Sequence, residues 1–106
     1  MIKVSVLYPQ SAGARFDHAY YRDRHMPMVK DKLGGACLHY TVDQGVAGGA
    51  PGAPAPFTAM CHIYCKSLPD FQQAMEPNAQ AIMADVANYT DIQPVFQISE
   101  VVVEQG

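Results

Sequence analysis

Tryptophan is absent from the chain, and only 16% of its 106 residues are charged. No excess of basic residues is present either; the formal net charge is -3. A protein that grips a phosphate backbone needs clustered lysine and arginine, so nucleic acid is excluded as a partner. No apolar run approaches the ~18 residues that would cross a bilayer, which excludes a membrane-spanning helix. The start, Met1-Ile2-Lys3-Val4-Ser5-Val6, alternates like a strand and lacks the basic region, apolar block and cleavage site of a signal peptide. A soluble, cytoplasmic protein is expected. Cysteine is sparse and odd in number: Cys37, Cys61 and Cys65 cannot all pair within the chain, which agrees with a reducing compartment. Cys61 and Cys65 lie in a strand-like run that would hold them about 13 Å apart. That is beyond disulfide reach and unlike a zinc knuckle, so they are expected as small buried hydrophobes.

Recognisable motifs for several chemistries are missing as well. The Gly- and Pro-rich run from Ala47 to Pro56 has no Gly-Lys-Ser/Thr ending and is not a phosphate loop. His18 and His25 are seven residues apart, about 10 Å along a helix axis, too far to share one ion. His39, His62, Cys61 and Cys65 have no compact ligand spacing, and their grouping depends on strand register. Ser5, Ser67 and Ser99 have no sequence context that would activate a nucleophile. The expectation is no metal and no cofactor.

What remains is one domain over residues 1–106, nearly half hydrophobic. Ile2 to Tyr8 alternates as a half-buried strand closed by Pro9. A helix then starts with Asp17 as N-cap and Phe16 stapling onto Tyr21, and its inward stripe is Tyr21, His25, Met28, Val29 and Leu33. Gly34-Gly35 closes it. Ala36 to Val46 is a second strand, with Cys37, His39 and Thr41 on one face. Residues 47–56 form a mobile loop, and Phe57 to Lys66 is a third strand. Ser67 caps a second helical region that runs to about Ala87 and is interrupted at Pro77. Pro94 to Val103 is the last strand. The order β-α-β-β-α-β is that of an α+β, ferredoxin-like domain with a four-stranded antiparallel sheet. Its helices cover one sheet face. Leu7, Met60, Tyr64 and Phe96 are expected to leave an apolar patch on the other face, for a second subunit to cover.

Three stretches carry a family resemblance: Ile2-Lys3-Val4-Ser5-Val6-Leu7-Tyr8-Pro9, then Phe16-Asp17-x-x-Tyr20-Tyr21-x-x-x-His25-Met26-Pro27, and finally Ala84 to Val101 with its Asn88-Tyr89-Thr90-Asp91 exit. With these the chain resembles the EthD family of the dimeric α+β barrel superfamily; Met28 stands where Leu is usual, a volume-conserving change. The resemblance implies a homodimer whose two sheets face each other and enclose a barrel-like cavity. The namesake is associated with bacterial breakdown of ethyl tert-butyl ether beside a cytochrome P450 system. Other superfamily members are cofactor-free oxygenases, isomerases, dehydratases and haem-handling enzymes, so the implication is firmer for shape than for reaction.

Among the chemistry-bearing residues, His25 stands first. Pro27 cannot donate to the carbonyl four residues back, and Met26 before it is biased away from helical geometry, so a break is expected that sets His25 at a junction. A neutral imidazole there could act as general base on a small apolar or aromatic oxygenated compound, and it could equally tie two helical pieces together. Tyr20 is the candidate assistant. Tyr21 is expected in the core with its hydroxyl seeking a partner. Tyr21, His62, Tyr64, Tyr40 and Gln97 are candidate ligand-binding groups, with Tyr8 a further one. Three readings are consistent with these residues: a cofactor-free enzyme of oxidative catabolism with His25 moving a proton, a non-catalytic accessory protein that binds a hydrophobic molecule in support of a partner oxidase, or a structural dimer whose cavity is filled by Met60, Tyr64, Phe96 and their dimer mates.

Overall fold

Alternation along the strands survives into three dimensions. The computed structural model describes residues 1–106. Strands β1 (Ile2–Pro9), β2 (Cys37–Gln44), β3 (Phe57–Cys65) and β4 (Val95–Glu100) form one antiparallel sheet in the order β2-β3-β1-β4. Residues directly opposite in such a ladder share a face. Val4, Val6 and Tyr8 of β1 therefore sit with Ile63, Cys61 and Ala59 of β3, and the helices cover this side. The opposite, open side carries Lys3, Ser5 and Leu7 with Tyr64, His62 and Met60.

The first helical stretch comprises α1 (His18–Tyr20), a π-helical turn (Tyr21–His25) and α2 (Met26–Leu33). Asp17 caps it by accepting a hydrogen bond from the Tyr20 amide at 3.0 Å, and Phe16 packs edge-on against Tyr21. Pro27 does not break the helix. Met26 is itself helical and donates its amide to the Tyr21 carbonyl five residues back. That wide turn gives the proline ring room and places Pro27 in the first turn of α2, where its missing N–H costs nothing. The extra residue in the turn also rotates α2 about its axis: Met26 is buried and Met28 only half-buried, the reverse of the expected stripe. Gly34 ends α2 at φ 58°, where a side chain would be strained.

The second helical region is interrupted around Pro77 into α3 (Leu68–Met75) and α4 (Ala79–Ala84), followed by a 3₁₀ turn, Val86–Asn88. Ser67 caps α3 through the Asp70 amide at 3.2 Å. Residues before α1 and after α4 are tied together: Phe16 and Thr90 form a β-bridge, Thr90 Oγ1 donates to the Arg15 carbonyl at 2.6 Å, and Asp91 accepts from the Arg15 amide at 2.9 Å. The Gly/Pro-rich segment folds back on itself through the Gly48 amide and the Ala53 carbonyl at 2.8 Å.

Three local features differ from simple alternation. A bulge between Cys37 and His39 moves Cys37 onto the helix side opposite Cys65, leaving His39, Thr41 and Asp43 on the open side. Phe96 pairs with Val6 and so faces the helix side, away from Met60 and Tyr64. The open face is thereby more polar than expected. Ser5 Oγ and His62 Nδ1 are hydrogen-bonded at 2.8 Å at its centre, Asp43 lies 3.4 Å from the other imidazole nitrogen, and Leu7, Met60 and Val95 are grouped toward one end. Finally, β4 ends at Glu100, and Val102 and Val103 are exposed.

Candidate functional site

Between the sheet and the helices lies a cavity of about 260 Å³. Its wall is almost wholly hydrophobic, from Val4 and Val6 on the sheet to Val29, Ile82 and Val86 on the helical side. Phe96 and Ile98 on β4 line it while remaining 55% and 47% exposed, and they mark its mouth. The volume lies just below the usual range of ligand pockets, which starts at about 300 Å³.

His25 is the imidazole in this wall, and a carboxylate fixes it. The ring is buried, 4% exposed, and stacks on Tyr21 and leans on Tyr89. Its Nδ1 is 2.9 Å from Asp85 Oδ2. The other carboxylate oxygen, Oδ1, accepts from the Tyr20 hydroxyl at 2.7 Å and from Asn88 Nδ2 at 2.9 Å. An ionised carboxylate has no proton to donate, so Nδ1 carries the hydrogen in this pairing. In a neutral ring Nε2 is then left with a free lone pair and no partner from the protein. Burial pushes the His25 pKa below its ordinary value, while the Asp85 contact acts in the opposite sense without cancelling that effect. For Asp85, burial alone would raise the pKa; hydrogen bonds from His25, Tyr20 and Asn88 outweigh it and leave a net lowering. Both directions favour neutral imidazole beside carboxylate at neutral pH.

A second polar cluster adjoins the first. Tyr8 and Tyr89 hydroxyls are 2.6 Å apart, both rings buried. The Tyr21 hydroxyl, also buried, makes no hydrogen bond; the Cys61 thiol and Tyr8 are its polar neighbours. Burial pushes the phenols of Tyr8, Tyr21 and Tyr89 up and holds the Cys61 thiol at about 11, so none of these groups ionises near neutrality.

The EthD domain matches residues 10–93. The chain belongs to the EthD family. An EthD-like protein from Ralstonia eutropha is similar at 62% identity, over 98% of this chain and 94% of that one, with a TM-score of 0.94. An ethyl tert-butyl ether degradation (EthD) family protein from Bacillus halodurans is 22% identical over 96% of this chain and 99% of that one, at a TM-score of 0.73. A dimeric ferredoxin-like protein of unknown function from Thermobifida fusca shares the fold at 13% identity and a TM-score of 0.55, over 94% and 90% of the two chains. No curated protein matches the chain.

On this EthD chain the residues singled out from sequence fall into three places. His25 and Tyr21 line the cavity, and Tyr20 stands behind Asp85, half-buried, holding the carboxylate. Tyr40, on the helix side of β2, packs against the core away from the cavity wall. His62, Tyr64 and Gln97 are on the open face, where Tyr64 stacks on His39 and Gln97 reaches Ser99. The register thus separates His39 and His62 from the cysteines, which all face the helices. No three His, Cys, Asp or Glu side chains converge as a metal site would require. Asp85 and Asn88 were not singled out from sequence. The available signal was a carboxylate in the apolar run Ile82–Tyr89, with Asn88 three residues on, where helical spacing lets the two meet.

Proposed function

We propose that this EthD protein binds a small apolar or aromatic oxygenated compound in the cavity and that His25 moves a proton to or from it without a cofactor. The observation that carries this reading is the arrangement of the His25 ring. Nδ1 is tied to Asp85, while the unpartnered Nε2 belongs to a side chain of the apolar cavity wall. A base oriented by a carboxylate in a low-dielectric site is preorganised for proton abstraction beside a carbonyl or from a phenol. Asp85 stabilises the imidazolium formed in that step, and Tyr20 and Asn88 hold Asp85. Such chemistry is common to oxygenase, dehydratase and isomerase reactions of oxidative catabolism, and the apolar wall gives the compound its class.

The working unit in this reading is a cytoplasmic homodimer in which the open sheet faces of two subunits meet. Leu7, Met60 and Val95 supply the apolar end of that face, and the Thermobifida fusca neighbour is described as dimeric. Light scattering of the purified protein at micromolar concentration tests it; a clean monomer contradicts it.

One observation favours an accessory role instead. Apart from His25, the buried phenols and the Cys61 thiol, the wall offers a ligand no polar group, so the cavity could store or deliver a hydrophobic molecule to a partner oxidase. The experiment that separates the two uses compounds identified by native mass spectrometry or thermal shift. With those compounds the catalytic reading predicts that His25→Ala keeps fold and dimer but lowers turnover at least about 100-fold. Undiminished turnover removes it. Stoichiometric binding with function retained in His25→Gln supports the accessory role.

A further inference from the structure

At the end of the sheet away from the cavity, β2 and β3 bring two cysteines opposite one another. Cys37 pairs with Cys65 in the antiparallel register, and both face the helices. Opposed residues of an antiparallel pair have Cα atoms about 4.5–5.5 Å apart. That lies inside the range of about 4.4–6.8 Å that a disulfide bridges. The bulge after Cys37 creates this juxtaposition; without it Cys37 would point to the open face with His39. Cys61, four residues from Cys65 along β3, pairs with Val6 and Val42 and has no cysteine opposite it.

We propose that Cys37 and Cys65 are a cross-strand dithiol that closes to an intramolecular disulfide when the protein meets a low-molecular-weight disulfide, with Cys61 left as a free thiol. The step balances as thiol–disulfide exchange. One cysteine, as thiolate, attacks a sulfur of the reagent and expels one reagent thiol, giving a mixed disulfide. The second thiolate then displaces the other reagent thiol. Two protein thiols are oxidised, the reagent disulfide is reduced to two thiols, and the cysteine protons leave to solvent or to the departing thiolates.

Cys37 is the attacking residue. It opens β2, an outer strand of the sheet, directly after the Gly34–Ala36 turn, and the Lys30 ammonium donates to its carbonyl oxygen at 3.3 Å. That cation favours the Cys37 thiolate, although burial still leaves the thiol pKa raised; the Cys65 thiol is pushed up to about 11. Both side chains are buried, so the reaction runs through local opening at the start of β2 and is slow. Once closed, the bridge fastens β2 to β3 across a long intervening loop and restricts the unfolded chain.

The test is incubation of the full chain with excess oxidised glutathione for hours at a temperature a few degrees below its unfolding midpoint, then peptide mapping without reductant. The expected product is a Cys37–Cys65 linked peptide with Cys61 still alkylatable, accompanied by a higher unfolding midpoint that dithiothreitol reverses. Cys61→Ser should form the same link, and Cys37→Ala and Cys65→Ala should each abolish it. Should either alanine variant fold poorly, the Cys61→Ser result decides alone, because it contains only the proposed pair. Failure of Cys61→Ser to form an intramolecular link, or a link from Cys61 to either cysteine in the native chain, overturns the proposal.

Discussion

Asp85 Oδ2 lies 2.9 Å from His25 Nδ1, although the two residues are 60 positions apart in the chain. His25 is delivered by a π-helical turn and Asp85 by the end of α4, and both elements lie on the same side of the sheet. The pairing gives a buried imidazole a defined tautomer and leaves its other nitrogen free.

Replacing Asp85 with Asn removes the charge that partly offsets the burial of His25. The His25 pKa should therefore drop further below its ordinary value, which proton NMR titration will read. Turnover of any substrate should drop about 100-fold or more, because an amide no longer enforces the Nδ1–H tautomer or stabilises the imidazolium. A His25 pKa that rises in Asp85→Asn contradicts the assignment.

Acid should destabilise the protein in two stages. His25 has a folded-state pKa lowered from 6.5, so its neutral form contributes stability that is fully present above that value and is lost as pH falls through the folded pKa. Asp85, lowered from 3.8, contributes in the same sense at more acidic pH, present above 3.8 and lost below it. Urea midpoints measured from neutral to acid pH should be flat at the upper end and then decline, and His25→Gln should abolish the first decline.

The tyrosine cluster separates a satisfied hydroxyl from an unsatisfied one. Tyr8→Phe strands the buried Tyr89 hydroxyl, which bonds Tyr8 at 2.6 Å, and should cost about 1–3 kcal/mol in urea unfolding. Tyr21→Phe removes a buried hydroxyl that has no partner and should be neutral or slightly stabilising. Equal losses in both variants would mean that Tyr21 is bonded after all.

Phe96 at the cavity mouth should matter to ligands more than to folding. Its side chain is 55% exposed, so Phe96→Ser should change stability by less than about 1 kcal/mol while weakening binding of an apolar ligand roughly fivefold. Isothermal titration with a cavity ligand alongside urea unfolding distinguishes the two effects.

Much of this architecture is legible in the sequence because it is written in short-range terms. Period-two alternation places β1 and β3, Asp17 and Ser67 announce the helix starts, Pro77 predicts the interruption between α3 and α4, and His25 stands out beside Pro27. The misplaced details come from single-residue insertions. The π-turn exchanges Met26 for Met28 in the core, and the bulge after Cys37 changes which face that cysteine occupies. Both insertions shift a phase that periodicity holds constant. Phe96 needed the β1–β4 register, and Asp85 needed the packing of two helices distant in sequence; neither is carried by local pattern.

The protonation of the His25 ring is the most direct test. Long-range proton–nitrogen NMR correlation on uniformly labelled protein at neutral pH distinguishes the two tautomers and the charged ring. The expected result is a neutral ring with hydrogen on Nδ1 and an unprotonated Nε2 whose nitrogen shift moves when a cavity ligand is added. A ring protonated on Nε2, or charged at neutral pH, contradicts it.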